Sequence, residues 1–336
     1  MQRSSQPLSS SEIGTLWLTY LEKTFIMRVL EYFIEKSDDK QAKNIMTDLW
    51  HNLKTYVEKI EVTFKNEDIA IPNGFNERDV DRNAPKLFDF GFDIMFVRIL
   101  KEISMGMYTL HLNMAYREDV VLIYKDLTAI TQKCYNSCTQ YLLEKGILSR
   151  PPNVTHPITN EIVNDTNYLN GFNLFGEKRS LNTIELGYLH HSIETNNIGI
   201  QLITGFAQCA KNKEVKDYFV KGKEISKKII KELEEKMLQS DISFSAASGN
   251  FVTNSTKSPF SDKLMMFCIF LLNSFGLGSQ SFGAIFSLRN DLTLKMALMA
   301  KNIYFYAEDG IKIMIKNGWL DQPPQMADRN KIIRGE

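Results

Sequence analysis

The chain has 336 residues, 43% of them apolar, with Lys+Arg and Asp+Glu equal at 40 each. That length suits two domains whose cores need no covalent staples. Zero net charge argues against the basic surplus of a nucleic-acid footprint, offers no general pull toward anionic membranes, and eases self-association.

The first residues, Met1-Gln-Arg-Ser-Ser-Gln-Pro7, hold no apolar segment, so no secretory signal is predicted and synthesis is expected in the cytoplasm. Four cysteines in this length make no disulfide framework. The longest apolar run, Leu264 to Leu277, is too short to span a bilayer and reads as a buried helix.

Ser9-Ser-Ser-Glu12 is a capping box that opens a first helix, with Ile13, Leu16, Trp17, Tyr20, Met27, Leu30 and Ile34 on one stripe. Asp38 then caps a second helix carrying Leu49, Leu53, Val57, Ile60 and Phe64. Periodicity vanishes from Asp68 to Ala84, where Pro72, Asn73 and Gly74 signal a loop. A third helix is predicted from Pro85, and a fourth runs from near Arg117 to Gly146.

The pattern then recurs. Arg289-Asn-Asp291 and Asn317-Gly318 through Pro323-Pro324 fall 172 positions after Arg117-Glu-Asp119 and Lys145-Gly146 through Pro151-Pro152. Asn182-x-x-Glu185 matches Ser9-x-x-Glu12, Ser258-Pro259 is expected to start the second copy's third helix, and Gly278 matches Gly106. The chain is a duplication with no period-two stretch. The expected fold is all-α: two tandem four-helix bundles, at 8–148 and 181–322, joined by an extended linker at 149–180. Phe172, Leu174 and Phe175 suggest that the linker lies against a bundle.

Loop lengths choose the topology. Connections one-to-two and three-to-four are short, so those helices are antiparallel neighbours. A loop of about 17 residues reaches about 56 Å when extended. That exceeds a helix of about 28 residues, which is roughly 42 Å long. Helices two and three can therefore run parallel with one long crossover, the ferritin-like order. A loop wandering at one end is the alternative.

The second half carries long strings: Gly205-Phe-Ala-Gln-Cys-Ala-Lys211, Val252-Thr-Asn-Ser-Thr-Lys-Ser-Pro through Phe267, and Tyr306-Ala-Glu-Asp-Gly through Pro324. These resemble the domain of unknown function 3231 family of endospore-forming bacilli, tandem relatives of spore coat protein F. The resemblance spans nearly the whole chain and is strongest in the second half. It implies a ferritin-like bundle in each half and a spore-coat or sporulation-associated protein. It implies other coat proteins as partners, and it brings no transferable activity.

The candidate chemistry is thin. A di-iron centre in such bundles needs Glu-x-x-His on two helices, and no Glu-x-x-His occurs. His51, three residues after Asp48, is the nearest approach. His190 and Glu194 share a helix face, and with Glu308 they form a weak candidate metal set; the competing reading of His190 is a hydrogen-bonded histidine at the core edge. Cys134 and Cys138 share a face without a second ligand pair, and Cys209 and Cys268 sit among apolar neighbours, so all four read as small buried side chains. Gly276, Gly278 and Gly283 inside a helix cost roughly 1 kcal/mol each relative to alanine. Close helix packing or a small-molecule pocket would offset that. Asn196 and Asn197 suggest a polar network with Tyr306 and Glu308 across the bundle interior. Arg117/Asp119 and Arg289/Asp291 read as structural, at helix starts. The pattern predicts a non-enzymatic structural or assembly protein without a cofactor, able to homo-oligomerise; a metal- or small-molecule-binding bundle is the second reading.

Overall fold

The structure is a computed structural model and describes residues 6–172, 178–243 and 251–335. Helices α1 (Ser10–Lys36), α2 (Lys40–Asn66), α3 (Phe92–Leu112) and α4 (Glu118–Glu144) form the first bundle. Helices α5 (Thr183–Cys209), α6 (Lys213–Leu238), α7 (Asp262–Phe286) and α8 (Asn290–Lys316) form the second, and a short α9 (Arg329–Arg334) follows. No strand occurs among the described residues, only two isolated bridges.

Side-chain pairs fix the directions. Tyr20 meets Glu61, and Trp50 meets Glu31, so α2 runs against α1. Ser104 meets Glu22, and Phe33 meets Phe96, so α3 also runs against α1. Helices α2 and α3 are therefore parallel, and residues 67–91 cross the length of the bundle between them. The second copy repeats this, with Gln280 on Ser192 and Tyr218 on Tyr306. One long crossover per bundle is the ferritin-like connectivity.

Three helix starts differ from the sequence reading. Asp39, not Asp38, caps α2, its side chain accepting from Gln41 N and Ala42 N. Helix α3 begins at Phe92 rather than Pro85, and α7 at Asp262 rather than at Pro259. The residues before the α3 and α7 starts stay extended because the two crossovers pair with each other. Asp81 N donates to Pro259 O (2.8 Å) and Thr253 N to Leu87 O (3.0 Å). Asp89 N donates to Phe251 O (2.9 Å) and Ser261 N to Asp79 O (3.0 Å). Val80 bridges Phe260, and Phe88 bridges Val252. Val252 and Phe260 lie 172 positions after Val80 and Phe88, so each bridge is the image of the other. The bundles are related by an approximate twofold axis through this ribbon, as two subunits of an isologous dimer would be. Before α3 the chain turns through Phe90 (φ 54°) and Gly91 (φ 80°), and a Cβ at Gly91 would lie 2.8 Å from Ile147 Cδ1.

One continuous apolar core runs through the first bundle and across the contact with the second. Aromatic edges carry it over: Phe25 on Phe267 (5.6 Å), Tyr32 on Phe260 (5.2 Å) and Phe88 on Phe206 (6.4 Å). Helix α7 is long and apolar enough to cross a membrane by length and composition, but Leu264 to Ile269 lie buried in this core. The linker is largely exposed from 150 to 167. Its end docks on the second bundle, where Gly171 N donates to Asn290 Oδ1 (2.8 Å). Phe172 is half exposed, and Leu174 and Phe175 lie outside the described residues.

Candidate functional site: one interior layer, filled in one bundle and hollow in the other

The capping box does more than start each bundle. Glu12 Oε1 also accepts the backbone N–H groups of Arg117 (2.6 Å) and Tyr116 (2.9 Å). Arg117 Nε donates to Asp119 (2.8 Å), and its NH1 donates to Gln6 O (3.2 Å). In the second copy Glu185 accepts Arg289 N (2.9 Å) and Leu288 N (3.2 Å). Arg289 Nε donates to Asp291 (2.8 Å), and its NH1 donates to Arg179 O (2.9 Å). The sequence reading of both Arg/Asp pairs as helix-start devices is extended here: each arginine clasps the α1–α4 or α5–α8 end of its bundle.

At mid-height the copies part. The first bundle holds a polar cluster away from water. Glu22, Lys23, Lys101, Ser104 and Tyr108 are 0–1% exposed. Lys23 Nζ donates to Glu22 Oε2 (3.1 Å) and contacts Tyr108 Oη, which in turn donates to Glu22. Ser104 Oγ donates to Glu22 Oε1 and accepts from Lys101 Nζ (3.1 Å). One carboxylate therefore serves two ammonium groups. Burial raises the Glu22 carboxyl, but Lys23 and Lys101 outweigh it and hold it below its ordinary value. Burial pulls Lys23 down to about 7 against the opposing pull of Glu22. One turn away His111 Nδ1 meets Thr19 Oγ1 (3.2 Å), and burial pushes its imidazole down to about 4. Nothing in the periodicity announced this cluster, since Glu22 and Lys23 are not part of the apolar stripe of α1.

In the second bundle the matching positions are Thr195, Asn196, Asn273, Gly276 and Gln280. Every charge is gone and the side chains are shorter. A cavity of about 90 Å³ opens there, lined by Thr195, Asn196, Asn273, Gly276 and Gln280 among isoleucines. Gln280 is 4% exposed; its Nε2 donates to Ser192 Oγ while its Oε1 is buried without a partner. Beside the cavity Tyr218 and Tyr306 stack at 4.2 Å with planes 6° apart. Each sits on the other helix's glycine: a Cβ at Gly222 would collide with Tyr306 Oη, and one at Gly310 would collide with Tyr218 Oη. Their first-bundle counterparts are Ile45, Leu49, Cys134 and Cys138.

The residues singled out from sequence fall unevenly. Gly276 lines the cavity, whereas Gly278 is exposed with open space beside it. Gly283 abuts Met296, whose Sδ is 2.6 Å from a Cβ placed there, so its role is close packing. Gly199 and Gly222 line the cavity instead, unmarked by sequence reasoning. Asn196 Nδ2 donates to Ser192 O within α5, and Tyr306 Oη donates across to Tyr218 O on α6, so each takes a partner other than the one expected.

His190 is buried, and burial, then His191 and Arg98, lower its pKa. Glu194 pairs with Arg98 of the first bundle (2.9 Å), and Glu308 pairs with Lys312 (2.9 Å) at the surface. Each of these two carboxylates therefore has a basic partner of its own. Among the described residues no group of three or more His, Cys, Asp and Glu side chains is placed to hold a metal. His191 turns the other way from His190 and meets Glu102 across the bundle contact (3.0 Å). Asp48 and His51 are exposed on α2. All four cysteines are buried thiols. Cys134 and Cys138 bond each other, which lowers the first and raises the second.

An all-α protein of two duplicated bundles, with no assembled metal set among the described residues, is the class these observations define. The chain belongs to the family described as "Protein of unknown function (DUF3231)", whose model matches residues 1–159 and 169–332, one match per copy. Among solved structures it is similar to a "putative spore coat protein" from Bacillus halodurans C-125. The two are 19% identical with a TM-score of 0.43, over 45% of this chain and 98% of that one. No curated protein matches the chain.

Proposed function

We propose that the chain is a non-enzymatic structural or assembly protein of sporulation, working with other proteins of the spore coat. The link to sporulation rests on the family resemblance of the second-half strings. The assembly part is carried by one observation, the outward side of α7 and α8. Phe282, Ile285, Leu294, Leu298 and Phe305 are exposed there, Ile285 at 71% and Phe305 at 51%. Apolar surface of this kind marks a protein contact. The matching residues of the first bundle are Leu110, Asn113, Leu122, Asp126 and Lys133, a more polar set. On this side one bundle is polar and the other apolar.

The test is a fluorescent fusion followed through sporulation in a Bacillus strain. The wild-type chain is expected to collect at the forespore surface. A variant carrying the first bundle's residues, Leu298→Asp with Phe305→Lys, is expected to stay diffuse while folding normally by circular dichroism. A wild-type signal that remains diffuse throughout sporulation overturns the proposal.

A further inference from the structure

The cavity of the second bundle is a made feature rather than a packing fault. Five neighbouring positions that carry Glu22, Lys23, Lys101, Ser104 and Tyr108 in the first bundle carry shorter or uncharged side chains in the second. The tyrosine pair adds bulk to one side, and along the wall Ile225, Ile303 and Phe275 stand where the first bundle has Asn52, Thr131 and Ile103. The lining holds no charged side chain, so an ionic occupant would be left uncompensated. Ile203, Ile225, Ile229, Ile269 and Ile303 supply an apolar wall. Among the lining side chains the fully buried Oε1 of Gln280 is left without a partner. Its amide nitrogen is committed to Ser192, which fixes which way the oxygen faces.

We infer that this cavity binds a small neutral organic molecule with an apolar body and one hydroxyl or N–H donor, directed at Gln280 Oε1. Size follows from volume. A cavity of about 150 Å³ takes benzene. The 90 Å³ here suits about three or four non-hydrogen atoms. The geometry assigns Gln280 as the recognition residue and the isoleucines as the wall that excludes longer ligands.

The experiment uses the full chain with labelled isoleucine methyl groups, titrated with propan-1-ol and, separately, with propane-1-thiol, a poor donor of the same shape. Saturable shifts of the cavity isoleucines are expected with the alcohol, and at least fivefold weaker binding with the thiol. Gly276→Leu fills the cavity and improves helix propensity, so it is expected to fold and to abolish the shifts. Gln280→Leu is expected to erase the preference for alcohol over thiol while the fold persists. Shifts that never saturate, or that persist in Gly276→Leu, mean that water alone occupies the site and overturn the inference. Equal affinity for alcohol and thiol in the wild-type chain overturns the role of Gln280.

Discussion

The two bundles share a backbone plan, a clasp at one end and a paired crossover, yet their interiors solve the same problem in opposite ways. In the first, charges fill the middle layer and satisfy one another: Glu22 between Lys23 and Lys101, with Ser104 and Tyr108 closing the network. In the second, uncharged side chains withdraw and leave a cavity with one unsatisfied acceptor. A buried ion set contributes little net stability but punishes any partial removal. A hollow layer tolerates change. The first interior is therefore locked by its chemistry, and the second is free to take a ligand. After duplication, one scaffold can keep the fold while its copy is altered.

The sharpest way to break this comparison is to remove the shared carboxylate. Glu22→Leu strands two ammonium groups in the core and is expected to cost about 3–5 kcal/mol in urea denaturation. Adding Lys23→Met and Lys101→Met removes every charge and is expected to recover most of that loss. A small cost for Glu22→Leu alone, under about 1 kcal/mol, is the exposed-pair value and would mean that water reaches this layer as well.

The clasps come next. They look equivalent in sequence but differ in burial: the Arg289 and Asp291 side chains are 1% and 4% exposed, against 9% and 36% for Arg117 and Asp119. Arg289→Ala is expected to cost about 3 kcal/mol and Arg117→Ala about 1–2 kcal/mol, by the same denaturation measurement. Equal losses would show that the bond to Glu67 on the first side makes up for its exposure.

The tyrosine–glycine exchange sharpens the contrast in packing. Gly222→Ala places a methyl against the ring of Tyr306 and is expected to cost about 1–3 kcal/mol. The double variant Gly222→Leu with Tyr306→Cys restores the Leu49 and Cys134 pair of the first bundle. It is expected to be more stable than Gly222→Leu alone. Simple additivity of the two changes would show that the stacked tyrosines and their glycines do not act as a unit.

How much of this the sequence disclosed depends on the kind of signal. Helix stripes, capping boxes and the 172-residue offset gave the all-α duplication, because burial imposes a period on apolar residues. The crossover direction followed from reach. The starts of α3 and α7 did not, because Pro85 and Pro259 suit a helix start as well as an extended strand. The choice was made by pairing with a segment far away in sequence. The buried ions were hidden for a related reason: Glu22 and Lys23 become interior only through neighbours on α3. The cavity was half visible. Gly276 pointed to it, but Gly278 and Gly283 looked the same in sequence and sit in open space and in tight packing. A position-by-position comparison of the copies would have found the layer, since Glu22 against Thr195 and Lys101 against Asn273 are charge losses at matched sites.

Acid gives the smallest and most local test of the difference. His111 is held neutral by burial, with a pKa of about 4 against an ordinary 6.5, and Glu22, Lys23 and Tyr124 are the ionisable groups near it. The unfolded chain takes up its proton first as pH falls. The stability that neutral His111 contributes is thus full above pH 6.5, declines as pH falls from 6.5 towards 4, and loses no more below the folded value. At pH 5.5 the expected loss is about 1 kcal/mol relative to His111→Gln, which carries no titrating ring. Gly283 stands at the matching place in the second bundle and has nothing to protonate. Amide hydrogen exchange at pH 5.5 and pH 7, compared between wild-type and His111→Gln after correction for intrinsic rates, should therefore show extra opening of α1, α3 and α4 but not of α5, α7 and α8. Equal loosening of both bundles would mean that the continuous core makes the chain one cooperative unit, in which a proton taken up by one interior is felt in the other.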